Sequence, residues 1–255
     1  MKRRPRRKKN PQAYRERSYR RLHQAGLVAT EVRLMETDLH ILAPVPVEDR
    51  ALVVVTEVRR QLEEYIAAHP VFLDSLVPLA MDDHAPSPVR DMLAAATLAG
   101  VGPMAAVAGV IAEAVGVALL RQGLDEVIVE NGGDVFVARR QECRIGIYAG
   151  ESVLSGRVGL LLRPPQMPCG VCTSSGSIGH SLSMGVADAV VVQATSTALA
   201  DAAATRLGNE VSPRPESIDR ALAVARTIEG LTGVVIVSGD RMGAWGGVEL
   251  VPLAS

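Results

Sequence analysis

Residues 104–120 carry a single charge, Glu113, and are otherwise Ala, Gly, Val, Leu, Ile and Met. The run is entered through Gly100-Val101-Gly102-Pro103 and left through Gly123. Pro103 suits a first helical turn, where its missing N–H is not needed, and Gly123 suits a left-handed exit, so a helix is predicted over residues 104–122. A helix that is apolar on every side has to be covered on every side. Glu113 keeps the run short of the roughly 20 uninterrupted apolar residues that cross a bilayer, which makes a buried core helix the expectation and a membrane span none. The rest of the chain must supply the layers that bury it.

Those layers read as strands and further helices. Residues 26–43 alternate apolar and polar side chains around Glu36-Thr37-Asp38, as strands do, until Pro44 and Pro46. Residues 48–69 show helical spacing that Pro70 stops; a proline-punctuated connector spans 81–88 and a helix follows over 89–99. The second half is mostly strand: 126–130, 134–138, 144–148, 158–162 and 189–194, then 233–237, 242–245 and 248–251. Two helices interrupt it, 197–207 with Ser196 as N-cap and Gly208-Asn209 as stop, and 215–228. Short separations favour antiparallel neighbours, so the fold class is α+β, a largely antiparallel sheet with helices packed on one face.

Composition narrows the function classes. With 48% hydrophobic residues in a chain of 255, a sizeable core is available, while 3% aromatics argue against stacking platforms for single-stranded nucleic acid. Three cysteines give no disulfide framework and point to a reducing compartment, the cytoplasm. Residues 1–22 hold 11 of the 27 Lys and Arg beside one acid, Glu16, leaving the remainder with a net charge of −11. This basic arm reads as a solvated tail, with contact to RNA or an anionic membrane as the alternative, and no apolar region follows it as in a secretory signal.

Five features could carry chemistry. Glu130-Asn131-Gly132-Gly133-Asp134 is either a hairpin turn or a glycine turn that brings N–H groups to a ligand. Asp201 and Thr205, at i,i+4 among alanines, are either a polar helix stripe or two hard oxygen ligands for Mg2+. Cys169-Gly170-Val171-Cys172 has redox or zinc spacing without a second pair, so two reduced thiols in strand packing are expected; Asp82-Asp83-His84 offers metal-capable groups on what also reads as a solvated turn. The stretch from Cys172 to Gly185, with Thr173, Ser174, Ser175, Gly176 and His180, is either a polar loop or a concave anion site with an acid–base group at its rim.

Together these residues resemble a known family. Residues 105–134, Thr173-Ser174-Ser175-Gly176, His180 and Ala200-Asp201-Ala202-Ala203-Ala204-Thr205 are similar, in order and approximate spacing, to the motifs of ApbE-type FAD:protein FMN transferases. A closer resemblance is to an uncharacterised bacterial and archaeal family related to those enzymes. It rests on Tyr14-Arg15-Glu16-Arg17, Glu36-Thr37-Asp38-Leu39, residues 102–109 and the Gly179-His180-Ser181 run. The resemblance implies an ApbE-like fold akin to the T-fold over residues 23–255, beyond the arm. It implies FAD or FMN as ligand, Mg2+ on Asp201 and Thr205, and cofactor contacts from Asn131, Gly132, Gly133, Asp134, Thr173, Ser174, Ser175 and Gly176. His180 would be the catalytic acid–base group, and the implied partners are a small phosphate-bearing ligand and a protein acceptor. This chain departs from the family at Ala108, where the family has Lys, at Glu113 in place of Asp, and after His180, where Ser181-Leu182-Ser183 replaces the segment bearing Asp and Pro. FMN transfer or FAD cleavage is therefore one expectation, and a noncatalytic or differently specific phosphate-ligand-binding protein on the same scaffold is the other.

Overall fold

The computed structural model describes residues 26–150, 152–175 and 186–253. Eleven strands and six helices alternate along them. In chain order they are β1 Val28–Leu34, β2 Thr37–Ala43, α1 Glu48–Ala68, α2 Val71–Asp74, α3 Ser87–Ala99, α4 Val107–Arg121, β3 Val127–Asn131, β4 Asp134–Ala138, β5 Cys143–Gly146, β6 Val158–Leu162, β7 Cys169–Ser174, β8 Ala189–Ala194, α5 Thr197–Glu210, α6 Ser217–Ala225, β9 Leu231–Ser238, β10 Arg241–Gly246 and β11 Glu249–Pro252. Eight strands form one sheet in the order β1-β2-β3-β4-β7-β8-β9-β10, with every pairing antiparallel. The other three form a small sheet, β11-β6-β5.

Side-chain alternation explains why the central strands read as nearly continuous apolar runs. Val127 and Val129 of β3, Phe136 of β4, Val190 and Val192 of β8 and Val234 and Ile236 of β9 face the core shared with the helices. Their neighbours Ile128, Val135, Val137, Val191, Val235 and Val237 face a second core, closed by Leu160 and Leu162 of the small sheet. The helices lie on one face as expected, and the small sheet covers the other.

Several boundaries differ from the sequence reading. The central helix begins as a 3-10 turn, Pro103–Ala106, before α4 proper. By length and composition Pro103–Arg121 does qualify as a membrane-crossing helix, contrary to expectation; here it is half buried and packs on β3, β4 and α5. Helix α5 runs through Gly208 and Asn209 to Glu210, because Leu207 and Gly208 are buried and packing outweighs the weak helix preference of Gly. Most consequentially, Cys172 and Thr173 are not at the start of a loop. They belong to β7, an interior strand whose small residues gave no strand signal of their own.

Candidate functional site

Helices α4 and α5 meet at their first turns. Each supplies the other with a carboxylate. Asp201 Oδ2 accepts the Gly109 N–H at 2.9 Å, and the Ala108 N–H adds to the same carboxyl. In return Glu113 Oε2 accepts from Ser196 Oγ at 3.0 Å, from the Thr197 N–H at 2.8 Å and from the Ala198 N–H at 3.2 Å. The two carboxylates thus satisfy N–H groups that helix starts leave open. The approach requires Gly109, since a Cβ there would lie 2.4 Å from the Thr197 carbonyl oxygen, and Gly170 of β7, where one would lie 2.4 Å from Thr197 Cα.

Under this crossing lie β4 and β7. Asp134 stands opposite Cys172 in the ladder and hydrogen-bonds the Cys172 thiol and the Thr173 N–H. Cys172 Sγ is also 3.4 Å from the Thr197 carbonyl oxygen. Burial, with the Glu130 carboxylate nearby, pushes Asp134 up to about 7. Burial and the charge of Asp134 hold Asp201 well above the usual carboxylate range. Cys172 rises for the same reasons, burial first and then the two aspartates. The arrangement is a pair of buried acids with a thiol beside them, and removing a proton from it concentrates negative charge in a low dielectric.

The Gly132-Gly133 turn closes the β3–β4 hairpin with φ of +71° and +112° at its two glycines, the geometry that a two-residue hairpin loop demands. Glu130 Oε1 accepts the Gly133 N–H at 2.9 Å, and the Asn131 side-chain amide donates to the Ala108 carbonyl at 3.1 Å, fastening the hairpin to α4. The turn is therefore a hairpin and a neighbour of the acids at once. Ser174 shares the face of Gly170 and Cys172 that looks toward α5. Its hydroxyl is buried and has no hydrogen-bond partner among the described residues. Alternation turns Thr173 the other way, although its N–H reaches the Gly133 carbonyl at 3.2 Å. Ser175 is buried just beyond, and Thr205 is half-buried one turn after Asp201. Gly176 and His180 lie outside the described residues.

Two other candidates have different surroundings. Cys169 and Cys172 sit on opposite faces of β7, one in each core, which is strand packing and a poor geometry for a shared ligand. Asp82 is occupied in shaping its loop: Oδ1 accepts the His84 N–H at 3.0 Å and Oδ2 the Tyr65 hydroxyl at 3.1 Å. Among the described residues no group of three or more His, Cys, Asp or Glu side chains is placed to hold a metal. A cation near Asp201 and Asp134 would need oxygen from hydroxyls, water or a ligand phosphate, the coordination Mg2+ usually has.

The reciprocal capping by Glu113 was not legible in the sequence. Ser196 announced the helix start, but its partner lies 83 residues earlier and only the fold brings it there.

A family profile described as "AbpE bacteria" matches residues 20–234. A UPF0280 protein of Methanosarcina acetivorans is 39% identical over 223 residues, covering 87% of this chain and 88% of its own. One from Methanosphaerula palustris is 47% identical over 191 residues, covering 74% and 78%. Among solved structures, the flavin transferase ApbE from Vibrio cholerae superposes with a TM-score of 0.54 at 15% identity, over 86% of this chain and 96% of that one. The ApbE protein of Thermotoga maritima gives 0.52 at 13% identity, over 85% and 96%. The chain shares the architecture of these proteins, and by its family match and its UPF0280 relatives it belongs to the AbpE family of bacterial proteins.

Proposed function

We infer that the protein binds a flavin nucleotide, FAD in the first instance, by its diphosphate and with a divalent cation, and that FMN transfer or FAD cleavage follows at the same place. The observation that carries this reading is the convergence of Asp134 and Asp201 next to the glycine turn, with Ser174 two places beyond Cys172 and its hydroxyl without a partner among the described residues. Two buried acids so close together keep protons that a divalent cation can displace, and hard carboxylate oxygen suits Mg2+. Asp201 and Asp134 would hold the cation, with the Thr205 hydroxyl one turn away on the same helix face. When bound, the cation supplies charge neutralisation on the phosphates.

The chain's own groups do the rest. Gly132 has no side chain to bar a ligand from its backbone N–H, while the Gly133 N–H is held by Glu130. The Ser174 hydroxyl, without a partner among the described residues, would donate to a phosphate oxygen, and Asn131, tied to Ala108, keeps the turn in register with α4. In transfer, an acceptor hydroxyl forms a bond to the FMN phosphorus while the pyrophosphate bond breaks and AMP leaves; in cleavage, water takes the place of that hydroxyl.

One observation favours the second reading, a binding protein without catalysis. Position 108 is Ala at the first turn of α4, so no side chain there offers a cation to the leaving phosphate. Titrating FAD, FMN and ADP with and without Mg2+, and assaying AMP release, separates the two. Mg2+-dependent FAD binding with AMP release is the expected outcome. Binding without AMP release moves the protein to the second reading, and no binding of any of the three rejects the flavin reading.

A further inference from the structure

A cavity of about 460 Å3 opens between α3 and α4 beside the start of α5, and neither Asp134 nor Asp201 lines it. Its floor is a stripe of α4, Val110, Ala114, Val117 and Ala118, which recur at three- and four-residue spacing and so share one helix face. Arg121 continues the stripe in the last turn. A volume of this size over an apolar floor with a few polar groups at its edge is that of a small-molecule site.

Three charged side chains around the floor have binding capacity unused. Glu113 spends one oxygen only: Ser196 Oγ and the Thr197 and Ala198 N–H groups all donate to Oε2, and Oε1 has no hydrogen-bond partner among the described residues. This carboxylate is fixed in place by its α5 contacts, so little ordering cost remains at binding. Asp91 receives only the Ser87 hydroxyl, on Oδ2 at 3.4 Å. Burial pushes its carboxyl upward, and Ser87 and the charge of Arg90 offset only part of that shift, so a further cation would relieve it. Arg121 takes part in no ion pair among the described residues. Along the axis of α4, Glu113 and Arg121 stand about 12 Å apart, far enough to meet opposite ends of an extended ligand of amino-acid size.

We propose that the cavity binds a free basic amino acid of the lysine or ornithine class. Its two cationic groups match the two carboxyl groups, and its carboxylate matches Arg121, whose planar fork suits that partner. The methylene stem lies on the α4 stripe, as long amphipathic chains lie on apolar surface. A diamine would leave Arg121 unanswered, and a neutral amino acid would leave one carboxyl without a cation. The cavity shares no residue with the flavin site, so the proposal stands apart from that reading.

Isothermal titration of the full chain with L-lysine, L-ornithine, L-norleucine and cadaverine tests this. Lysine and ornithine should bind. Norleucine, which keeps the stem and loses the side-chain ammonium, and cadaverine, which loses the carboxylate, should each bind at least about tenfold more weakly than lysine. Asp91→Asn and Arg121→Gln, both on exposed side chains, should each weaken lysine at least about tenfold, and Arg121→Gln should leave cadaverine unchanged. No binding of lysine or ornithine at millimolar concentration, equal affinity for norleucine, or a lysine affinity indifferent to both substitutions overturns the proposal, whatever the FAD titration gives.

Discussion

The Gly109 N–H donates to Asp201 Oδ2 across 2.9 Å, joining the first turn of α4 to a side chain 92 positions later. The carboxyl is thus a structural cap and, in the reading proposed here, a cation ligand. Asp201→Asn separates the two roles, since the amide oxygen still accepts the N–H while the charge is gone. Stability should hold, and FAD affinity in the presence of Mg2+ should fall at least about tenfold, ~1.4 kcal/mol. The check is a titration of FAD against both proteins with and without Mg2+, in which four equal affinities would reject the metal role.

Burial pushes Asp134 up to about 7 from an ordinary 3.8, and Asp201 moves the same way. A carboxyl of this kind keeps its proton in the folded protein where the unfolded chain has lost it. Its contribution to stability is complete below pH 3.8 and is lost as pH rises through about 7. In the absence of divalent cations the denaturant midpoint should therefore drop between about pH 4 and pH 7. Asp134→Asn should shrink that drop, and a drop of equal size in both proteins would contradict the assignment.

Glu113 takes three hydrogen bonds at the start of α5. Glu113→Ala leaves the Thr197 and Ala198 N–H groups without that acceptor and should cost about 1–3 kcal/mol in urea unfolding. Glu113→Gln retains an oxygen acceptor and should cost less. If the two substitutions prove equally mild, the capping carboxylate contributes little.

All three thiols are buried, and burial raises Cys143 to about 11 and Cys169 to about 12, with Cys172 well above its ordinary value. Thiolate is the reactive form. An aromatic disulfide reagent should therefore titrate no thiol in the native protein at mildly alkaline pH and all three in denaturant. Rapid native reaction at Cys169 or Cys172 would show that β7 opens easily.

The candidate site was legible where chemistry is local. The Gly132-Gly133 turn, Ser196 as a cap, and Asp201 with Thr205 on one helix face all follow from short-range rules that a few neighbouring residues suffice to state. The motif order that resembles ApbE transferases pointed to the architecture that the solved ApbE structures share with this chain.

By itself, then, the sequence determined the class of the fold and most of its elements, and it named the residues here proposed to bind a cation or phosphate, because periodicity, glycine turns and helix caps act over a few residues. Only the tertiary structure decided that Cys172-Thr173-Ser174 is an interior strand, that Cys169 and Cys172 face different cores, and that Asp134, Cys172 and Asp201 lie together. Those outcomes depend on pairing with β4 and β8 and on the close crossing of α4 with α5. Small residues such as Gly170 and Gly109 are silent about such contacts until another element arrives to use the space they leave.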